Sequence, residues 1–190
     1  MSNSPPYAVC FAGVPGTSKS IIAYYLSSQF GLPILSNDSL RYEVKEDMLV
    51  AKLVLPEDLI KKGINQPKVL AEFERRLSQR RKELLKTGRS IIFDASVDRR
   101  WPEIKSELQA AGYSWFMISM ELSRQFLEKL FGATDRKDFL PQLDDYFKNH
   151  QQFLKRYRSD INLEIDDANF QNRLKIAATE LQKFIDGLAN

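Results

Sequence analysis

The sequence predicts an α/β fold, a parallel sheet of five strands with helices on both faces. Two patterns carry that expectation. Short apolar runs alternate with stretches of helical periodicity five times along the chain. The run YSWFMISM at 113–120 is apolar almost throughout, as a parallel strand buried on both faces must be. With 190 residues the chain can bury a substantial core, so a loose tail over 1–6 and a single domain over 7–190 are expected.

Composition narrows the function classes. A hydrophobic fraction of 43% and a charged fraction of 28% are those of a globular protein, and no apolar run reaches membrane-spanning length. The opening MSNSPP lacks the basic and apolar parts of a secretory leader, so a cytoplasmic location is expected. One cysteine and one histidine leave no zinc site; Cys10 is expected to be a small buried hydrophobe. The net charge of +3 permits a nucleic-acid partner without requiring one.

The first element organises the rest. Tyr7–Ala12 is a short apolar strand candidate that runs into Gly13-Val14-Pro15-Gly16-Thr17-Ser18-Lys19-Ser20 and then Ile21, where helical periodicity begins. Strand, glycine-bearing turn, Lys-Ser and helix make a P-loop signature. Backbone N–H groups at a helix N-terminus suit a polyphosphate, and glycine lets the backbone approach it closely. Lys19 is placed to reach the β- and γ-phosphates of ATP, and Ser20 to ligate Mg2+. One position departs from the GxxxxGK pattern: Ser18 stands where glycine precedes the lysine. A serine there in ordinary helical geometry leaves the loop unchanged; its hydroxyl either meets a phosphate or crowds it.

The helix from Ile21 to Phe30 is expected to end at Gly31, and residues 32–35 form the second strand. SNDSLR follows, with a helix opening near Asn37 or Asp38 and running over about 41–51. Asp38 and Arg41 share one helical face beyond a strand's C-terminal end, where ligands of open α/β sheets bind. Asp38 suits a general base and Arg41 a phosphate clamp; an N-cap aspartate beside a solvated arginine is the other reading. A short helical turn is expected near 57–62. A long helix from Pro67 to about Lys86 is expected to bury Leu70, Phe73, Leu77 and Leu84. Its Arg75, Arg76, Arg80 and Arg81 either line a groove for a phosphorylated strand or form a solvated face paired with Glu72, Glu74 and Glu83.

SIIFDAS at 90–96 reads as an apolar strand ending in an acid, and Asp94 is placed to organise the Mg2+ that Ser20 ligates. Asp98 is expected to cap the next helix, which Gly112 ends. After the fourth strand come a helix over 122–131 and a polar connector at about 132–140, a candidate lid with Arg136 as its catalytic cation; a plain surface loop reads equally well. A further helix carries His150 at a partly exposed edge. A fifth strand over 161–165 leads to a last helix, expected to be capped by Asp167.

GVPGTSKS, SNDSLR and SIIFDAS in this order resemble small P-loop kinases, in particular the polynucleotide-kinase-like and zeta-toxin-like group, over about residues 7–125. The resemblance implies a P-loop NTPase fold, a three-layer α/β/α sandwich around a five-stranded parallel sheet. It also implies roles: Lys19 and Ser20 as phosphate lysine and metal hydroxyl, Asp38 as base, Arg41 as holder of an acceptor-side phosphate, and Asp94 as the Walker B acid. The departures are Ser18 and a connector poor in arginine, with Lys129 where an arginine is common. No guanine-type NKxD motif is present. The expected activity is transfer of the γ-phosphoryl of ATP to a hydroxyl on a nucleic-acid end, a nucleotide or a small metabolite. The alternative is a catalytically weakened nucleotide-binding module acting through a protein partner.

Overall fold

The computed structural model describes residues 5–54, 66–134 and 136–189. They form two compact units, one of Met1–Ile34 with Arg89–Asn190 and one of Leu35–Gly88. The boundary falls inside a strand. The short turn expected at 57–62 lies outside the described residues.

The larger unit is built on β1 (Tyr7–Gly13), every residue of which is buried. It is followed by α1 (Lys19–Phe30) and β2 (Ile34–Ser36). After the smaller unit come β3 (Ile91–Ser96), α4 (Trp101–Ala110), β4 (Ser114–Met120), α5 (Arg124–Ala133), α6 (Leu143–Tyr157), β5 (Leu163–Ile165) and α7 (Arg173–Leu188). The strand order is β2-β3-β1-β4-β5, a five-stranded parallel sheet. The chain adds strands on one side of β1 and then crosses to the other, so the turn after β1 sits at the topological switch point.

Alternation along the strands divides the core. Val9, Phe11, Phe116, Ile118 and Met120 meet Ile22 and Leu26 of α1 and Ala177 and Leu181 of α7 in one apolar cluster. Elsewhere Trp101 stands edge-on to Trp115 at 5.6 Å and donates its Nε1–H to Asp160 at 2.7 Å, which satisfies a buried carboxylate. Cys10 is fully buried, and burial raises its thiol pKa, so it acts as a small hydrophobe.

Several local expectations are corrected. α4 follows Arg100 without a side-chain cap, and Asp98 does other work. Asp167 accepts from the Ser123 amide at 2.8 Å, while the last helix opens only at Arg173. The polar connector expected after α5 is mostly helical: a 3-10 turn over Lys137–Gln142 leads directly into α6. Its Phe139 packs on Phe131 and Tyr146 at 5.8 and 6.2 Å between ring centres.

The smaller unit pairs α2 (Asn37–Val50) with α3 (Pro67–Lys86). α2 is one continuous helix that opens at Asn37, where the sequence places its start, and is N-capped by Ser36. On α3 the Gln66 side chain accepts the Val69 amide and Pro67 fills the first turn, where no N–H is needed. The buried stripe is Val69, Phe73, Leu77, Arg81 and Leu85, a strict i,i+4 row; Leu70 is 39% exposed. Arg76 is bonded to Glu72 and Asp47, and Arg80 to Glu43 at 2.8 Å. With Arg81 only 3% exposed, the basic run is a helix face paired with acids of α3 and α2. No helix among the described residues is long and apolar enough to cross a membrane.

At Gly13 a Cβ would lie 2.8 Å from Met120 Cβ and 2.9 Å from its carbonyl oxygen, on a backbone with φ +121°. Gly13→Ala should therefore destabilise the protein by about 2–4 kcal/mol through overlap and backbone strain. Urea unfolding with an unchanged slope checks this; a loss below about 0.5 kcal/mol would mean the strands part freely there.

Candidate functional site

The turn after β1 has three residues at positive φ within six positions: Gly13 (121°), Gly16 (82°) and Ser18 (67°). This coils the backbone, and close contact fixes it. A Cβ on Gly16 would sit 2.8 Å from Phe131, so glycine alone fits against α5. Ser18 corrects an expectation. It takes the left-handed conformation, with no side-chain bond to cap α1, in place of ordinary helical geometry.

Lys19 is folded back beneath the loop. Its Nζ donates to Gly13 O at 2.9 Å, Val14 O at 2.7 Å and Thr17 Oγ1 at 3.2 Å, which uses all three of its N–H bonds. Thr17 is itself buried and donates to Val14 O at 2.9 Å. Burial pushes the ammonium down to about 8, the charges of Asp98 and Asp94 act against that, and Arg136 adds to it. Arg136 is exposed at the start of the 3-10 turn, and its charge is felt at Lys19.

Ser20 Oγ donates to Asp94 Oδ1 at 2.9 Å. Asp94 belongs to β3, where the pairing with β1 becomes irregular: Val9 faces Ile92, but Phe11 faces Ser96. Extra residues on one strand form a bulge, a device that re-aims a side chain. The hydroxyl and carboxylate make an all-oxygen donor pair beside the loop, which fits a hard cation such as Mg2+. The described residues contain no cluster of three or more histidine, cysteine or acidic side chains, so water and substrate oxygens would complete such a site.

Sequence reasoning missed two residues here. Asp98 Oδ1 accepts the Gly13 amide and the Ser96 hydroxyl, both at 3.0 Å, and its Oδ2 lies 3.0 Å from His150 Nδ1. Burial works to raise Asp98, but His150, the Gly13 amide and Lys19 hold it below its ordinary range. His150 is 3% exposed, not at a partly exposed edge. The available signals were a second acid four residues after Asp94 and the chain's single histidine.

In the smaller unit, Asp38 and Arg41 occupy the start of α2, as the spacing predicts, with Nη1 3.6 Å from Oδ1. The Asp38 side chain is 85% exposed, and the Arg41 guanidinium lies over the Phe73 ring at 5.0 Å.

No protein-family model matches this chain, and no curated protein does. Solved structures do match. A sugar kinase from a Janibacter species is similar at TM-score 0.62 and 16% identity, over 94% of this chain and 95% of that one. The APS kinase CysC of Mycobacterium tuberculosis, solved with AMPPNP and APS, is similar at TM-score 0.59 and 17% identity, over 94% and 99%. A chain of the PezAT chromosomal toxin-antitoxin system of Streptococcus pneumoniae is similar at TM-score 0.63 and 13% identity, over 87% and 68%. The fold is that of the P-loop kinases.

Two outcomes follow from the loop. Ser18→Gly should relieve the left-handed serine by about 1 kcal/mol and raise Tm by roughly 2–4 °C. Lys19 binds a proton in both folded and unfolded chains below about pH 8, and in the unfolded chain alone between about 8 and 10.5. Stability at this position therefore rises with pH across that window. Relative to Lys19→Met, the wild type should gain about 3 kcal/mol between pH 8 and 10.5 in urea unfolding. A flat difference would mean that the ammonium is not buried.

Proposed function

We propose that the chain is an ATP-dependent phosphotransferase that moves the γ-phosphoryl group to a hydroxyl acceptor. The observation that carries this is a buried loop lysine bonded to its own loop, followed in sequence by a Ser20 hydroxyl bonded to Asp94, at the end of the central strand. In this reading the loop from Gly13 to Ile21 binds the nucleotide phosphates, and Lys19 exchanges a carbonyl for a phosphate oxygen. Ser20 and Asp94 would hold Mg2+, which supplies charge neutralisation on the phosphates when bound. Arg136 steadies the charge on the transferring group, Asp38 aligns the acceptor hydroxyl and takes its proton, and Arg41 holds an acceptor-side anion. The polynucleotide-kinase-like and zeta-toxin-like assignment of SNDSLR and FDAS belongs to this proposal.

The acceptor class favoured is a small hydroxyl metabolite. The arginines of α3 that would track a nucleic-acid strand are buried or bonded to acids of their own unit, and several similar structures are small-molecule kinases. A second reading, a weakened nucleotide-binding module acting through a protein partner, is supported by the left-handed Ser18.

Calorimetric titration with ATP–Mg2+ tests the first half. Wild type is expected to bind, and Lys19→Ala to weaken binding about 10–100-fold by removing charge-assisted bonds. Binding that appears only in Ser18→Gly, or partner binding that depends on nucleotide without transfer, would favour the weakened module. For the second half, Asp38→Asn should keep ATP affinity within about twofold while lowering turnover roughly 10²–10⁴-fold. Equal turnover removes Asp38 from the mechanism.

A further inference from the structure

We propose that His150 is a positioning residue for the phosphate loop, acting on it through Asp98. The nucleotide arm of this proposal rests on the phosphotransferase reading; the loop-geometry arm does not.

The chain of contacts is short. His150 Nδ1 meets Asp98 Oδ2 at 3.0 Å, and the other oxygen of that carboxylate accepts the Gly13 amide at 3.0 Å. The Gly13 carbonyl in turn accepts from Lys19 at 2.9 Å. Gly13 is thus held on its amide side by Asp98 and on its carbonyl side by the lysine. A carboxylate can rotate about its single-bond stem; Oδ1 is held by the Gly13 amide and the Ser96 hydroxyl, and the His150 contact on Oδ2 is the third point that restrains its plane. That contact comes from α6, the helix that continues from the turn carrying Phe139, a neighbour of Gly16. The imidazole lies nearly parallel to the Phe153 ring, with 6.1 Å between ring centres and 11° between planes.

Packing alone does not account for a histidine here. Its Nε2 is buried with no hydrogen-bond partner among the described residues, a cost that an apolar ring of similar size would avoid. What the imidazole supplies and phenylalanine lacks is the Nδ1 contact to Asp98.

Two variants separate the bond from the packing. His150→Phe keeps a ring against Phe153 and removes the contact; His150→Asn keeps a donor near the Nδ1 position and removes the ring. Amide hydrogen exchange on the nucleotide-free protein is read at Gly13, with Val9, Cys10 and Phe11 of β1 as internal controls. His150→Phe is expected to speed exchange at Gly13 about tenfold or more and His150→Asn less than about threefold, with the controls unchanged. Asp98→Asn should reproduce the His150→Phe pattern. In calorimetry, ATP–Mg2+ affinity should fall about tenfold in His150→Phe and be largely retained in His150→Asn. Wild-type exchange at Gly13 in His150→Phe overturns the proposal. So does an equal rise at Gly13 and at the controls, which would make His150 a general stabiliser. A wild type that binds no nucleotide sinks the phosphotransferase reading and leaves the exchange data to decide the role of His150.

Discussion

An ammonium group taken out of water costs several kcal/mol unless carbonyls and acids replace its hydration. Much of the larger unit's geometry around the loop follows from meeting that cost at Lys19. The carbonyls of Gly13 and Val14 turn toward Nζ, in a turn that coils through the positive φ angles at Gly13, Gly16 and Ser18. Two acids supply compensating charge, each set by a different device. Asp94 is carried by the irregular pairing of β3 with β1, and Asp98 is held by bonds from α6 and from β1 itself. The loop is therefore shaped in advance, which is what preorganised electrostatic stabilisation requires.

Much of this was legible in the residues. The apolar run at 7–12 gives β1, Gly31 takes the left-handed cap expected of it, and α1 begins at Lys19, two residues before the periodicity at Ile21 shows it. Asp94 and Ser20 were legible as neighbours, because the strand–loop–helix pattern expects both beside one ion, and their side chains are bonded at 2.9 Å. Other features depend on long-range register, which local pattern does not encode. Asp98 and His150 are 52 positions apart and meet only because α6 returns to the sheet. On α3, Phe73 and Leu77 are buried as the pattern suggests, but at the two ends Val69 and Leu85 are buried in place of Leu70 and Leu84, and Arg81 completes the row. Ser18 was misread for another reason: serine is unremarked in a right-handed helix, and only the loop's path demands the left-handed form.

The similarity to P-loop kinases at 13–17% identity agrees with the strand order β2-β3-β1-β4-β5 and with a loop at the end of β1. Acceptor choice belongs to side chains grafted on the scaffold. In the proposed reading those side chains are on α2 of the smaller unit, where Asp38 is open to solvent and Arg41 rests on an aromatic ring.

The complete bonding of Lys19 to its own loop has a consequence for any anion that settles there. Burial favours the uncharged amine at Lys19 and lowers its pKa to about 8. A phosphate beside it favours the charged form and draws a proton from the medium. Binding would then be proton-coupled: the observed heat would scale with the ionisation enthalpy of the buffer, and apparent affinity would decline as pH climbs past 8. The loop would read acidity as well as phosphate.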